Sequence, residues 1–277
     1  MIGIVDVGGG TRGIYGAGIF DYCLDQRIRF DLVIGVSAGS ANGASYIAGQ
    51  RGRNYRFYND YAFREEYMSL KNLLHTGSYI GLDYIYTTLS IAGAEDPLDY
   101  EALVASPQDY VVVATDAATG KPVYFGKSDM KQDDYSILKA SSCVPVICPP
   151  YPIGDAAYFD GGLSDPIPFR KAFEMGCEKV VVILTKPRSE MRRSRKERIL
   201  ANALRAKYPA AAKALANRNA VYNQSLHEAL LLEKAGLVKI IAPDDIGDLK
   251  TLTQDHASLE MLYRKAYEDA AAIPAFL

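Results

Sequence analysis

The sequence predicts an α/β protein with a mainly parallel central sheet, and three observations carry that prediction. Short apolar runs of strand length recur along the chain. Helical spacing fills the intervals between them. The first fifty or so residues read strand, helix, strand, helix, the order of a parallel βαβ unit.

Taken in order, "IGIVDV" (2–7) is a buried strand bounded by glycines, and "IYGAGIFDYCLDQ" (14–26) spaces Ile14, Ala17, Ile19, Phe20 and Leu24 as a helix does. "DLVIGV" (31–36) is a second buried strand, and "SAGSANGASYIAG" (37–49) is a helix of small residues. Later strands are expected at "YVVVAT" (110–115), "PVYF" (122–125), "KVVVILT" (179–185) and "LVKIIAP" (237–243). Helices are expected at about 133–142, 165–175, 190–207, 209–235 and 255–272. Residues 51–106 break the alternation. Seven tyrosines (55, 58, 61, 67, 79, 84 and 86) fall between positions 51 and 90 without a strand pattern, so a helical insertion is expected. Tyrosine, apolar in body and polar at the tip, suits the rim of a lipid-facing pocket, and equally a helix lying on a sheet. The proline-rich "CVPVICPPYPIG" (143–154) reads as a rigid loop. No repeat or long linker divides the chain, so one domain is expected over 1–277.

The 277 residues carry a net charge of −2, with 49% hydrophobic and 23% charged residues, as in an ordinary globular protein able to enclose a cleft. No run of about 20 apolar residues predicts a membrane span. The glycine loop arrives before a signal-peptide core would fit. Cys23, Cys143, Cys148 and Cys177 lack CxxC pairing or zinc spacing, so reduced buried thiols are expected. The cytoplasm is the expected compartment.

"GVSAG" (35–39) fits G-x-S-x-G between a strand and a helix, the context that gives the motif meaning. A tight strand-to-helix turn lifts Ser37 into a cleft, Gly35 and Gly39 leave room around it, and the next helix aims its N-terminus there. Such a nucleophile needs a base. His227 or His256 would supply one in a Ser-His-Asp triad, although neither has a motif around it and His75 lies in the insertion. The other candidate is Asp160 in "YFDGGLSDP" (158–166), a carboxylate held at the end of an apolar stretch, with Gly161 and Gly162 allowing close approach.

The loop "GGGTRG" (8–13) also fits G-x-G-x-x-G, the dinucleotide fingerprint, which would make the protein a phosphate- or nucleotide-binding module. That reading wants an acid ending the second strand, whereas Asp31 begins it and "GVSAG" stands at the end. A Walker A loop lacks its G-K-[ST]. An oxyanion hole fits better: parallel strands bring the Gly8, Gly9 and Gly10 amides to the sheet edge where Ser37 turns. Bulk at Gly9 or Gly10 should then lower turnover far more than stability.

Together "GGGTRG", "GVSAGS" and "DGG" resemble, in order, the motifs of the patatin-like phospholipase family. "KASSCVPVICPP" (139–150) is similar to the family's alanine–serine and Pro-Pro stretch, and "LTKPRS" (184–189) is similar to bacterial members. The resemblance covers about residues 1–187. It implies a three-layer α/β/α fold and calcium-independent hydrolysis of lipid acyl esters (phospholipase A or lysophospholipase type), with no metal or other cofactor. By the resemblance Ser37 is the nucleophile, Asp160 the general base of a histidine-free dyad, and Gly8, Gly9 and Gly10 the oxyanion hole. Arg12 would support that loop or meet a substrate phosphate, and Gly13 completes the motif. Cys143 stands where the family often has alanine, which bears on the shape of the acyl pocket. The same site would also suit a thioesterase, an acyltransferase or a general carboxylesterase.

Charge is uneven. Residues 186–218 hold eleven Lys/Arg against Glu190 and Glu197, a local charge of +9, so the remainder carries −11. A basic helical C-terminal region from about 187 therefore predicts either a solvated face or peripheral contact with an anionic membrane, the inner membrane surface in this setting. No nucleic-acid-binding module surrounds it.

Overall fold

The computed structural model describes residues 1–192 and 196–277. The first half runs β1 (Ile2–Asp6), α1 (Ile14–Asp25), β2 (Leu32–Val36), α2 (Ala38–Ile47), α3 (Arg53–Asn59), α4 (Leu70–Thr76), α5 (Tyr100–Ala105), β3 (Asp109–Asp116), β4 (Pro122–Gly126) and α6 (Ser136–Ser141). The second half runs β5 (Tyr151–Ile153), β6 (Ala156–Asp160), α7 (Phe169–Glu174), β7 (Lys179–Ile183), α8 (Lys196–Leu204), α9 (Pro209–Lys234), β8 (Val238–Ile241) and α10 (His256–Asp269).

The eight strands form one sheet. Its centre is parallel, as the apolar runs predict: β3–β2–β1–β7–β8. Such strands are buried on both faces, and their side chains alternate between two cores. Ile4, Val33, Val112 and Val181 face one core, where α1, α2 and α10 pack. Val5, Leu32, Ile34, Val113 and Val182 face the other, closed by Phe169 and Ala172 of α7 and by Tyr222, Leu226 and Ala229 of α9. The result is three layers, α/β/α.

The strands β4, β5 and β6 are antiparallel. Neither β5 nor β6 is expected from sequence, and β5 lies inside the supposed loop 143–154. Both are short, and Pro152 sits in the edge strand β5, where a missing N–H does least harm. Along one side of β3, β2 pairs with Asp109–Val113 and β6 takes over from Ala114 to Asp116; β4 pairs along the other side.

Residues 51–106 are indeed helical, though in short pieces: α3, α4 and α5, a 3-10 turn at Tyr61–Phe63 and a π turn at Tyr84–Thr88. The four cysteines are unpaired and buried. Arg193 and Arg195 of the basic run lie outside the described residues, as does the side chain of Lys196. No described helix is long and apolar enough to cross a membrane.

Candidate active site

Ser37 sits between the end of β2 and the start of α2, at φ 56° and ψ −130°, a conformation that costs a non-glycine residue free energy. The strain is held by the packing of two turns. A Cβ on Gly8 would come within 2.3 Å of the Val36 carbonyl, and one on Gly39 within 2.3 Å of the Asp6 carbonyl, so the glycine loop and the serine turn lie backbone against backbone. Ser141 adds a clamp: its Oγ accepts the Ser37 N–H at 2.8 Å and donates to the Val113 carbonyl at 2.6 Å. The elbow is thus tied to β3. Ser37 is 8% exposed.

Asp160 ends β6 and is buried. Its N–H donates to the Cys143 carbonyl at 2.8 Å, and its Oδ1 accepts the Gly162 N–H at 2.8 Å. Burial pushes its carboxyl above the usual aspartate value, and the positive charge of Arg218 and a hydrogen bond with Ser37 pull it back. Desolvation of this kind makes a carboxylate a better base. The "KASSCVP" block therefore has a structural task at each end, Ser141 under the serine and Cys143 under the aspartate. Gly35 is the next-to-last residue of β2, opposite Asp6, and Gly161 lies against the Val113 carbonyl at the turn after β6.

Gly8, Gly9 and Gly10 all have positive φ (62°, 135° and 62°) and curl over the end of β1. One part of the expected oxyanion hole needs correction. The Gly8 N–H donates to Asp6 Oδ1 at 2.9 Å, so it is turned down into the sheet and not toward Ser37. The Gly8 carbonyl accepts from Thr185 Oγ1 at 2.5 Å. Asp6 is a residue that sequence reasoning missed: a fully buried carboxylate that also accepts from Asn42 Nδ2 at 2.8 Å, with its pKa pushed up to about 6 by burial. Asn42 in turn holds the Gly13 carbonyl at 2.8 Å and is braced by Tyr58 Oη. From the far end of the chain, the Thr251 carbonyl accepts the Thr11 N–H at 2.8 Å, and Thr251 Oγ1 accepts from Arg12 Nη1 at 3.1 Å. Arg12 is 5% exposed and supports the loop.

Two pockets meet at Ser37. One is apolar, lined by Phe57, Tyr58, Met68, Ile85, Tyr86 and Leu138 among others, mostly from the tyrosine-rich insertion. The other is polar, with about 360 Å³ of clear space, and it holds Gly8, Gly9, Gly10, Arg12 and Asp160. Arg192 and Arg218 also reach this second pocket, so two charges of the basic segment turn inward. None of the three histidines lines either pocket. His75 and His227 are exposed, and exposed His256 stacks on Phe63 at 3.6 Å. The histidine alternative for the base has no support in this arrangement.

An α/β/α fold with a strained serine turn and a buried aspartate at the end of β6 is the frame, and comparison with known proteins gives its family. The chain matches the family described as patatin-like phospholipase over residues 7–173, and it belongs to that family. A second match, to a domain of unknown function, covers 208–273. The chain is 30% identical to the uncharacterized protein YjjU of Escherichia coli, over 67% of this chain and 52% of that one. It is 25% identical to an uncharacterized NTE family protein, Rv1063c, of Mycobacterium tuberculosis, over 63% of this chain and 46% of that one. It thus spans about half the length of these curated relatives. Among solved structures it is similar in fold to VipD from Legionella pneumophila, with a TM-score of 0.54 and 12% identity, over 98% of this chain and 66% of that one.

Proposed function

We propose that the protein is a serine acyl hydrolase of lipid acyl esters, with Ser37 as nucleophile and Asp160 as general base. The observation that carries this reading is the position of Ser37, where an apolar pocket meets a polar one containing Asp160. The first suits an acyl chain and the second the alcohol half of the ester.

In the first half-reaction Asp160 takes the Ser37 hydroxyl proton as Oγ attacks the ester carbonyl. The tetrahedral oxyanion is met by the Gly9 and Gly10 amides, since the Gly8 amide is committed to Asp6. The alcohol leaves with the proton from Asp160, and an acyl-Ser37 ester remains. Water, deprotonated by Asp160, then attacks that ester; the serine recovers its proton and the fatty acid departs. Because the Asp160 carboxyl lies above its ordinary value of 3.8, kcat/KM should fall with acid at a pH higher than a free aspartate would give.

The test is hydrolysis of a medium-chain p-nitrophenyl ester, together with labelling by a fluorophosphonate probe. Ser37→Ala and Asp160→Asn should each lower kcat by about 10⁴ or more, and the label should map to Ser37. Full activity in both variants sinks the proposal.

A further inference from the structure

The apolar pocket does not stay apolar along its whole length. From Ser37 it follows α2, where Ala38, Ala41 and Ala44 line it and leave it room. Just past them Ser45 Oγ accepts from Arg53 Nη1 at 3.0 Å, and Arg53 lines the same pocket together with Ser90 and Tyr135. A helix rises about 12 Å between positions 37 and 45, so these polar groups stand a medium-length acyl chain away from Ser37.

Arg53 and Tyr135 are both buried, and neither is fully served. Tyr135 is 1% exposed, and its hydroxyl has no hydrogen-bond partner among the described residues. Arg53 is 5% exposed, and its Nη2 donates to Ser90 Oγ at 2.8 Å and to the Asp96 carbonyl at 3.0 Å. Its Nε lies 3.5 Å from Asp96 Oδ1 and makes no hydrogen bond. The Asp96 carboxylate is committed to another guanidinium. Arg56 donates to it from Nε at 2.6 Å and from Nη2 at 2.9 Å, and Tyr61 Oη donates at 3.2 Å. One carboxylate thus answers two arginines and leaves a positive charge in excess. Burial brings the Arg53 pKa down to about 10 even with Asp96 beside it. An orphaned hydroxyl and an under-served guanidinium along an apolar channel cost free energy until an acceptor meets them.

We infer that Arg53 and Tyr135 form a subsite for an oxygen acceptor at the far end of the acyl chain, so that the protein selects acyl groups whose tails carry a carboxylate or a hydroxyl over plain alkyl ones. The inference rests on the Ser37 reading above and adds a specificity for the acyl half. Phe57, Leu82 and Ile85 cover the methylenes between ester and tail. Tyr135 donates to either kind of tail. A carboxylate also answers the excess charge, and a charge-assisted bond to a guanidinium is the stronger one. The subsite gives a task to the insertion at 51–106, which supplies Arg53, Ser90 and Asp96.

The experiment has a binding arm and a turnover arm. Calorimetry on Ser37→Ala compares free medium-chain acids ending in methyl, hydroxyl or carboxylate, so the tail is read without catalysis. Kinetics on the wild type compares p-nitrophenyl esters with the same three ends over a series of chain lengths. At the length that fits the pocket, kcat/KM should rise from methyl to hydroxyl to carboxylate, by at least about tenfold in all, and the acids should bind in the same order. Tyr135→Phe should lower both polar preferences about fivefold or more. Arg53→Gln should abolish the carboxylate preference. Where that variant does not fold, Arg53→Lys, which keeps the charge but loses the fork, should reduce it. Methyl-ended esters turning over best at every length, with no tail preference in binding, overturn the subsite and leave the hydrolase intact. A tail preference that survives both Tyr135→Phe and the Arg53 variant also overturns it, because the tail is then read elsewhere. Tail-dependent binding to Ser37→Ala that Tyr135→Phe removes, with no turnover of any ester by the wild type, supports the subsite and instead removes the hydrolase reading.

Discussion

Val36 and Asp160 stand at consecutive positions along one side of β3, Val36 opposite Val113 and Asp160 opposite Ala114. One strand therefore acts as the ruler for both Ser37 and Asp160. The parallel partner β2 ends there and delivers Ser37, and the antiparallel partner β6 ends there from the other direction and delivers Asp160. Backbone pairing, not a flexible loop, sets their separation.

Ser141 should be the most sensitive residue outside the proposed Ser37–Asp160 pair. Ser141→Ala leaves the buried Ser37 N–H and the Val113 carbonyl without their partner at a position of positive φ. Denaturant unfolding should show a loss of about 1–3 kcal/mol. Ester turnover should fall as well, by about tenfold or more, as the elbow relaxes.

The glycines of the loop should separate by their neighbours. A Cβ on Gly9 would press on side-chain atoms, the Thr185 hydroxyl at 2.6 Å and Arg12 Nη2 at 3.4 Å, whereas one on Gly10 would come within 2.1 Å of the Thr251 carbonyl. Gly9→Ala should lower kcat through a displaced amide, by about 3–4 kcal/mol of transition-state stabilisation if the donor is lost outright. Both variants should lose thermal stability, since neither positive φ suits alanine, and Gly10→Ala should lose more, because backbone has to move as well. Parallel kcat and melting measurements distinguish the two.

Asp6 predicts a stability profile that declines with pH. Its carboxyl titrates at about 6 in the folded protein against 3.8 unfolded, so the folded state holds the proton more tightly. This group's contribution is present below about pH 4 and is lost as pH rises through 6, on the order of 3 kcal/mol in all. Asp6→Asn should flatten that part of the curve. Urea midpoints of the two proteins between pH 4 and 7 provide the check; an unchanged slope counts against the assignment.

What could be read in the sequence was local, and what could not depended on distant pairing. The first two βα turns, the Ser37 elbow and the Asp160 turn are each encoded within a few residues, by glycines flanking a reactive side chain. Strand β5 is three residues with Pro152 at its centre, and β6 opens on two alanines, so neither registers as an apolar run. That the Gly8 amide serves Asp6 follows from how the chain bends back on itself, which spacing does not report. Ser141 stands in a block whose local sequence does not point to Ser37, and its clamp on Ser37 spans 104 positions. The basic run suggested an outer face, but the direction in which Arg192 and Arg218 point is set by Tyr222, Asn223 and Gly162.

The register between β1 and β7 matters for anyone who would trim the chain. The patatin-like match stops at residue 173, before β7, yet β7 pairs with β1 along all of Ile2–Asp6. A fragment cut at 173 would leave the central strand of the sheet with a bare hydrogen-bonding edge and an uncovered apolar face, a template for aggregation. Expressed alone it should be insoluble despite carrying Ser37 and Asp160. The signature marks where the chemistry is written, and the folding unit extends well beyond it.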